Sequence, residues 1–190
     1  MKNKKGLIIV LVVIAVIAIF AGSVVSSYNN LVDERETVTN AQANIQTMLQ
    51  RRADLIPNLV NTVKGYAAHE EEVYTAIADA RSKLSGATTV DEMEKANSEL
   101  DSAISRLLVV VENYPELKAD TQFINLQDEL AGSENRISVA RKDYNDVAKA
   151  YNTHIKKFPA NIIASMFNFE QAEYFEASSE AQTAPNVNFD

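Results

Sequence analysis

Arg52 makes the largest demand on its surroundings. It stands in a row spaced by seven, Leu31, Val38, Ile45, Arg52, Leu59 and Tyr66, in which every other member is apolar. A guanidinium on an apolar stripe must be paired, because an unpaired buried charge costs several kcal/mol. Asp54, Glu112, Glu134 and Arg141 are the candidates for a buried polar network around it. Such a network could be a structural ion-pair cluster that sets helix register. It could also be a polar pocket that admits a small molecule. The remaining chemistry-bearing residues are sparse. His69-Glu70 lacks the second histidine of a zinc motif, and no Glu-x-x-His occurs for a di-metal site. His69 borders Glu70, Glu71 and Glu72 and reads as exposed, while His154 reads as a satisfied core or rim residue. There is no cysteine, which excludes disulfides, thiolate metal sites and a cysteine nucleophile. Neither a Gly-rich phosphate loop, a G-x-S-x-G elbow nor a Ser/His/Asp set is present. We therefore expect no catalytic residue, no cofactor and no metal.

Two tyrosine-asparagine pairs echo each other, Tyr144-Asn145 and Tyr151-Asn152, with Tyr28-Asn29 upstream. Core tyrosines with hydroxyls at a bundle edge explain them, each Asn finding a backbone or cross-helix partner. Phe167, Phe169, Tyr174, Phe175 and Phe189 put aromatics into a segment without helical period. They either pack back on the bundle or form a docking peptide.

These residues are positioned by helices. The chain has 190 residues with five Gly and four Pro, too few for an all-β chain with many tight turns. No βαβ alternation occurs. From Tyr28 on, apolar residues recur at helical spacing. Ala41, Met48, Leu49, Leu55 and Ile56 fill the first stripe. Pro57 lacks an N–H and clashes with the carbonyl four residues back. A break or sharp kink is expected near Ala53–Asp54, with Asp54 as N-cap of a new helix and Pro57 in its first turn. Pro57 and Gly65 together could form a hinge. Gly86 suits a left-handed C-cap after Leu84, and Thr88 or Thr89 caps the next helix, ahead of Asp91 and Glu92. That helix ends before Tyr114-Pro115. The row Phe123, Leu130, Ile137, Tyr144, Tyr151, Phe158 marks the last long helix, and Asn161 to Met166 suits a short turn. Four segments, 28–53, 55–84, 89–113 and 117–157, suit an all-α, up-and-down antiparallel helical bundle over 28–167. A kink alone at Pro57 would leave three long helices. Residues 168–190 read as a loosely structured acidic and aromatic tail.

The N-terminal segment is of another kind. Leu7, Ile8, Ile9, Val10, Leu11, Val12, Val13, Ile14, Val16, Ile17, Ile19, Phe20, Val24 and Val25 make up fourteen of the 19 residues from Leu7 to Val25, none of them charged. As a helix this run is about 28 Å long, close to a hydrocarbon core of about 30 Å. Lys2, Lys4 and Lys5 are the only charges before Asp33; the rest has 15 basic against 26 acidic residues, a balance of −11. The basic residues 1–6 are expected in the cytoplasm and the acidic bundle outside. The alternative is a cleaved signal with Ala21-Gly22-Ser23 at the cleavage site. An acidic domain repels phosphate backbones, so no nucleic-acid partner is expected.

Several long stretches carry a resemblance. Arg51 to Glu70 reads RRADLIPNLVNTVKGYAAHE, and Val111 to Asp120 reads VENYPELKAD. Phe123 to Phe167 reads FINLQDELAGSENRISVARKDYNDVAKAYNTHIKKFPANIIASMF, and the chain ends APNVNFD. From about Tyr28 to Asp190 the sequence resembles the LemA family of bacterial membrane-anchored proteins. The resemblance implies a membrane helix followed by a helical bundle and brings no enzymatic activity. The expected role is a single-pass, non-catalytic scaffold or adaptor. Its partners would be the lipid bilayer through residues 7–25 and an unidentified membrane or envelope protein, with self-association through the heptad faces compatible.

Overall fold

The computed structural model describes residues 2–176, with side chains from Gly6 onward. The lysines at positions 2, 4 and 5, the segment 177–190 and Phe189 therefore lie outside the described side chains. Among the described residues six helices follow in order: α1 Lys2–Lys64, α2 Glu71–Gly86, α3 Val90–Val111, α4 Pro115–Lys118, α5 Thr121–His154 and α6 Ala160–Met166. No strand occurs among the described residues. The chain forms two compact units. Of the described residues, one holds those up to Asn40 with Asp146–Ala172, the other Ala41–Asn145 with those from Glu173 on.

In the second unit the core is built from Ile45, Leu49, Ile56, Leu59 and Val63 of α1 and Ile77 and Leu84 of α2. Met93, Leu100 and Leu107 of α3 and Phe123, Leu130, Ile137 and Tyr144 of α5 complete it. These are the rows read from the heptads. They end where the helices end: Tyr66 and Phe158 fall past α1 and α5 and are exposed. In the first unit Leu31 and Val38 of α1, Ala148 and Tyr151 of α5, and Ala160, Ile163 and Ala164 of α6 are buried.

Of the two expectations, a break near Ala53–Asp54 or a helix that carries on through Pro57, the break is absent. Helix α1 runs through Pro57 to Lys64, and the chain turns over Gly65 to Glu70 instead. The reason lies one turn back. Proline at 57 leaves the Ala53 carbonyl without its helical N–H, and Arg81 of α2 donates its Nε–H to that oxygen at 2.9 Å. Ala53 is buried, so the orphan would otherwise be costly. Asp54 is not a cap: its Oδ1 accepts from Gln50 within the same helix. Arg81→Met should then cost about 1–2 kcal/mol. In a Pro57→Ala background, where the N–H returns, the same change should cost much less. A double-mutant cycle from urea unfolding reads the difference.

Helices α2 and α3 pack on each other across a short connection. Gly86 is the last residue of α2 and not a left-handed cap; no glycine has positive φ. Thr89 caps α3 through a reciprocal box with Glu92. The Glu92 carboxylate accepts from the Thr88 N–H at 2.9 Å, the Thr89 N–H at 3.0 Å and the Thr88 hydroxyl at 3.1 Å. The Thr88 N–H leads the effects that hold its pKa at about 2, against 4.5 for the free side chain. A folded pKa below the unfolded one means the stabilisation is complete above about pH 4.5 and is lost as pH falls toward 2. Glu92→Gln should flatten the acid side of the stability curve in that window and leave its slope near neutral pH unchanged. Unfolding midpoints across pH test this.

A four-residue helix, α4, interrupts what the sequence suggested was one helix from 117. Asp120 then caps α5, its Oδ1 accepting from Gln122 N–H at 2.8 Å and Phe123 N–H at 3.0 Å. Gly132 lies within α5 with no close helix neighbour; an added Cβ would meet only the Arg136 guanidinium, at 3.5 Å.

Candidate functional site

Arg52 is 5 % exposed and reaches two other helices. Its Nη1 donates to Asn97 Oδ1 at 2.7 Å and to Glu134 Oε2 at 2.5 Å, and its Nη2 donates to Asp101 Oδ1 at 2.5 Å. Asn97 Nδ2 donates to Asp101 Oδ2 at 3.1 Å, closing the cluster on α3. One guanidinium thus joins α1, α3 and α5. Of the candidates read from sequence, only Glu134 is brought to Arg52. Glu112 pairs instead with Lys118 at 2.7 Å, because it lies at the end of α3 next to α4. Asp54 faces Gln50, with Arg81 at 4.0 Å. Arg141 lies over the Phe175 ring at 5.5 Å, and its Nε and Nη2 are buried without a hydrogen-bond partner. The two members that sequence reasoning missed, Asn97 and Asp101, are four apart on α3. Asn97 falls inside the apolar arc of Met93, Ala96 and Leu100, which was the available signal.

The tyrosine-asparagine pairs grip backbone that follows α6 and belongs to no helix. In the second unit Tyr144 Oη donates to the Glu173 carbonyl at 2.9 Å. Asn145 Nδ2 donates to the Phe175 carbonyl at 2.8 Å while the Phe175 N–H donates back to Asn145 Oδ1 at 2.9 Å. Phe175 is buried, edge-on to Tyr144 at 5.2 Å. In the first unit the pattern repeats. Tyr151 Oη donates to the Glu170 carbonyl at 2.9 Å, Asn152 Nδ2 donates to the Ala172 carbonyl at 2.8 Å, and the Ala172 N–H donates to Asn152 Oδ1 at 2.8 Å. In each pair the tyrosine takes the carbonyl two residues before the amide taken by its asparagine. Burial raises the pKa of both tyrosines, which keeps the hydroxyls protonated as donors. Residues 170–175 are therefore fastened, where a loosely structured tail was expected.

His154 bonds through Nδ1 to both carboxylate oxygens of Glu34 at 2.9 Å, and His69 is exposed. Among the described residues no group of three or more His, Asp or Glu side chains could hold a metal ion. Tyr28 does not repeat the bonding of the later tyrosines; its ring packs edge-on against Phe167 at 4.7 Å and Phe169 at 5.7 Å. The large apolar residues Leu7–Phe20 of α1 are all exposed, Val24 is half-buried, and the helix is long and apolar enough to cross a membrane.

An all-helical chain with an exposed apolar N-terminal run and inward-facing ion pairs defines a membrane-associated helical bundle. The model of the LemA family matches residues 41–189, and the chain belongs to that family. It is 28 % identical to magnetosome protein MamQ 1 and MamQ 2 of Paramagnetospirillum magneticum, over 94 % of this chain and 76 % of those proteins. It is 29 % identical to protein LemA of Metamycoplasma hominis, over 89 % of this chain and 78 % of that protein.

Proposed function

We propose that this chain is a non-catalytic adaptor of the bacterial cell envelope. Leu7–Val25 spans the membrane once, the basic N-terminus stays in the cytoplasm, and the acidic bundle binds membrane or envelope proteins on the other side. The observation that carries this reading is α1 itself. The same helix bears the exposed apolar run and supplies Leu31 to a packed core. A spanning helix confines the bundle to the membrane surface and raises its effective concentration toward partners there. The buried charges support a structural use of the polar residues, since Arg52 faces two carboxylates of its own chain.

Copurification after crosslinking in native membranes tests the reading, run with the full chain and an Asn145→Ala/Asn152→Ala variant. A recurrent partner supports it, and its loss in the variant places the interface at the tail. Repeated failure to recover any specific partner counts against it.

A second reading is a bundle that senses a small molecule at Arg52. It is favoured by the Nε of Arg52, which is buried without a partner. Asp101 and Glu134 oppose entry of any anion. A ligand at 100 times its Kd would add about 2.7 kcal/mol of stability, so thermal shifts across a metabolite panel decide it.

A further inference from the structure

We propose that α6 and the turn before it form a foot that lies in the headgroup layer of the membrane. This inference rests on the reading that Leu7–Val25 spans the bilayer. It is drawn entirely within the first unit. Helix α6 buries Ala160, Ile163 and Ala164 on one side. The opposite side carries Ile162 and Met166, spaced by four and 51 % and 63 % exposed, and the turn before the helix adds Phe158, 81 % exposed. Single exposed apolar residues are ordinary on a soluble surface; three large ones within nine residues, followed by a half-exposed Phe167, are not.

The position of these residues relative to the anchor is set by direct contact. Helix α6 ends in a Schellman turn: Asn168 takes φ 55° and the Phe169 N–H reaches the Ala164 carbonyl at 2.9 Å. That turn brings Phe167 and Phe169 onto the Tyr28 ring. Tyr28 lies three residues beyond Val25, about 4.5 Å along the helix. A bilayer that holds Leu7–Val25 therefore ends within a helical turn of Tyr28, and its headgroups reach the level of α6. The half-burial of Val24 fits the same placement, since protein already shields one residue in the last turn of the apolar run.

The chemistry suits that layer. The amphipathic ring of Tyr28 suits the interface, phenylalanine suits the apolar face of an interfacial segment, and lysines extend their ammonium groups to lipid phosphates. Lys156 and Lys157, both exposed, stand directly before Phe158. They offer positive charge on an otherwise acidic chain, complementary to anionic headgroups. An apolar face immersed at the acyl boundary is the binding mode of interfacial helices.

The chain has no tryptophan, so a single introduced one reports its own site. The full chain carrying Phe158→Trp, and separately Phe20→Trp, is placed in vesicles of phosphatidylethanolamine and phosphatidylglycerol with lipids brominated either near the headgroup or deep in the chain. Emission from F158W should be blue-shifted and fall roughly twofold with the shallow label, and F20W should be quenched by the deep label. Quenching of F20W with water-like, unquenched emission from F158W overturns the foot while leaving the anchor. Blue-shifted F158W emission that no label quenches also overturns it, because protein then covers that position. Failure of every label to quench F20W removes the spanning reading and the foot with it.

Discussion

Arg52→Met should lower the stability of the bundle by about 3 kcal/mol, the largest effect expected of any single substitution here. The guanidinium is nearly inaccessible and joins three helices through Asn97, Asp101 and Glu134. Methionine fills part of the space of the aliphatic stem but supplies no donor. The side-chain oxygen of Asn97, a residue 1 % exposed, then loses its donor in the core. Asp101 and Glu134 lose their cation, but their side chains are 45 % and 37 % exposed and water recovers part of the loss. That is why the cost falls at the low end of the range for breaking a buried pair, about 3–5 kcal/mol. Each kcal/mol shifts the melting temperature of a chain this size by about 2–4 °C, so a fall of about 6–12 °C is expected. Arg52→Lys should be intermediate, because one ammonium cannot address three acceptors in a planar fork. Adding Asn97→Leu to Arg52→Met should recover part of the loss by removing the orphaned amide. Thermal and urea unfolding of the four chains decide it.

Asn152→Ala is the second large effect, at about 2 kcal/mol. Asn152 is buried and makes two hydrogen bonds with one residue, accepting from the Ala172 N–H and donating to the Ala172 C=O. Alanine leaves both backbone groups part-buried with no replacement. The effect should also be local. Amide exchange at Ala172 should rise sharply, while amides in α2 and α3 should change only as far as global stability changes. Asn152→Asp should be no milder, since a carboxylate offers an acceptor where the Ala172 carbonyl requires a donor. Equal loss of protection throughout the chain would contradict the local fastening.

The two substitutions also show which parts of this molecule were readable in advance. The heptad rows of α1 and α5 were legible because a helix with one buried face must repeat that face every three to four residues. Arg52 was legible for the same reason: a charge in such a row is conspicuous. Its partners were not. Glu112 and Asp54 were selected by their nearness to apolar stripes, but pairing depends on how three helices are rotated about their axes, and Asn97 and Asp101 win by facing Arg52 directly. Pro57 was overvalued as a helix breaker because its cost assumes that the freed carbonyl stays unpaired. Arg81, remote in sequence, removes that assumption. The tyrosine-asparagine repeat was visible, yet its use was not, because the partner is backbone in a segment without period.

The reading of this chain as an anchored bundle outside the cytoplasm is tested most directly by its topology. With no native cysteine, Ser98→Cys places one thiol on an exposed position of α3. Intact cells are treated with a membrane-impermeant maleimide, and the membranes are then extracted with alkali. The thiol is expected to be labelled before lysis, and the labelled chain to stay in the membrane pellet. Labelling only after lysis, or release of the chain by alkali, would contradict it.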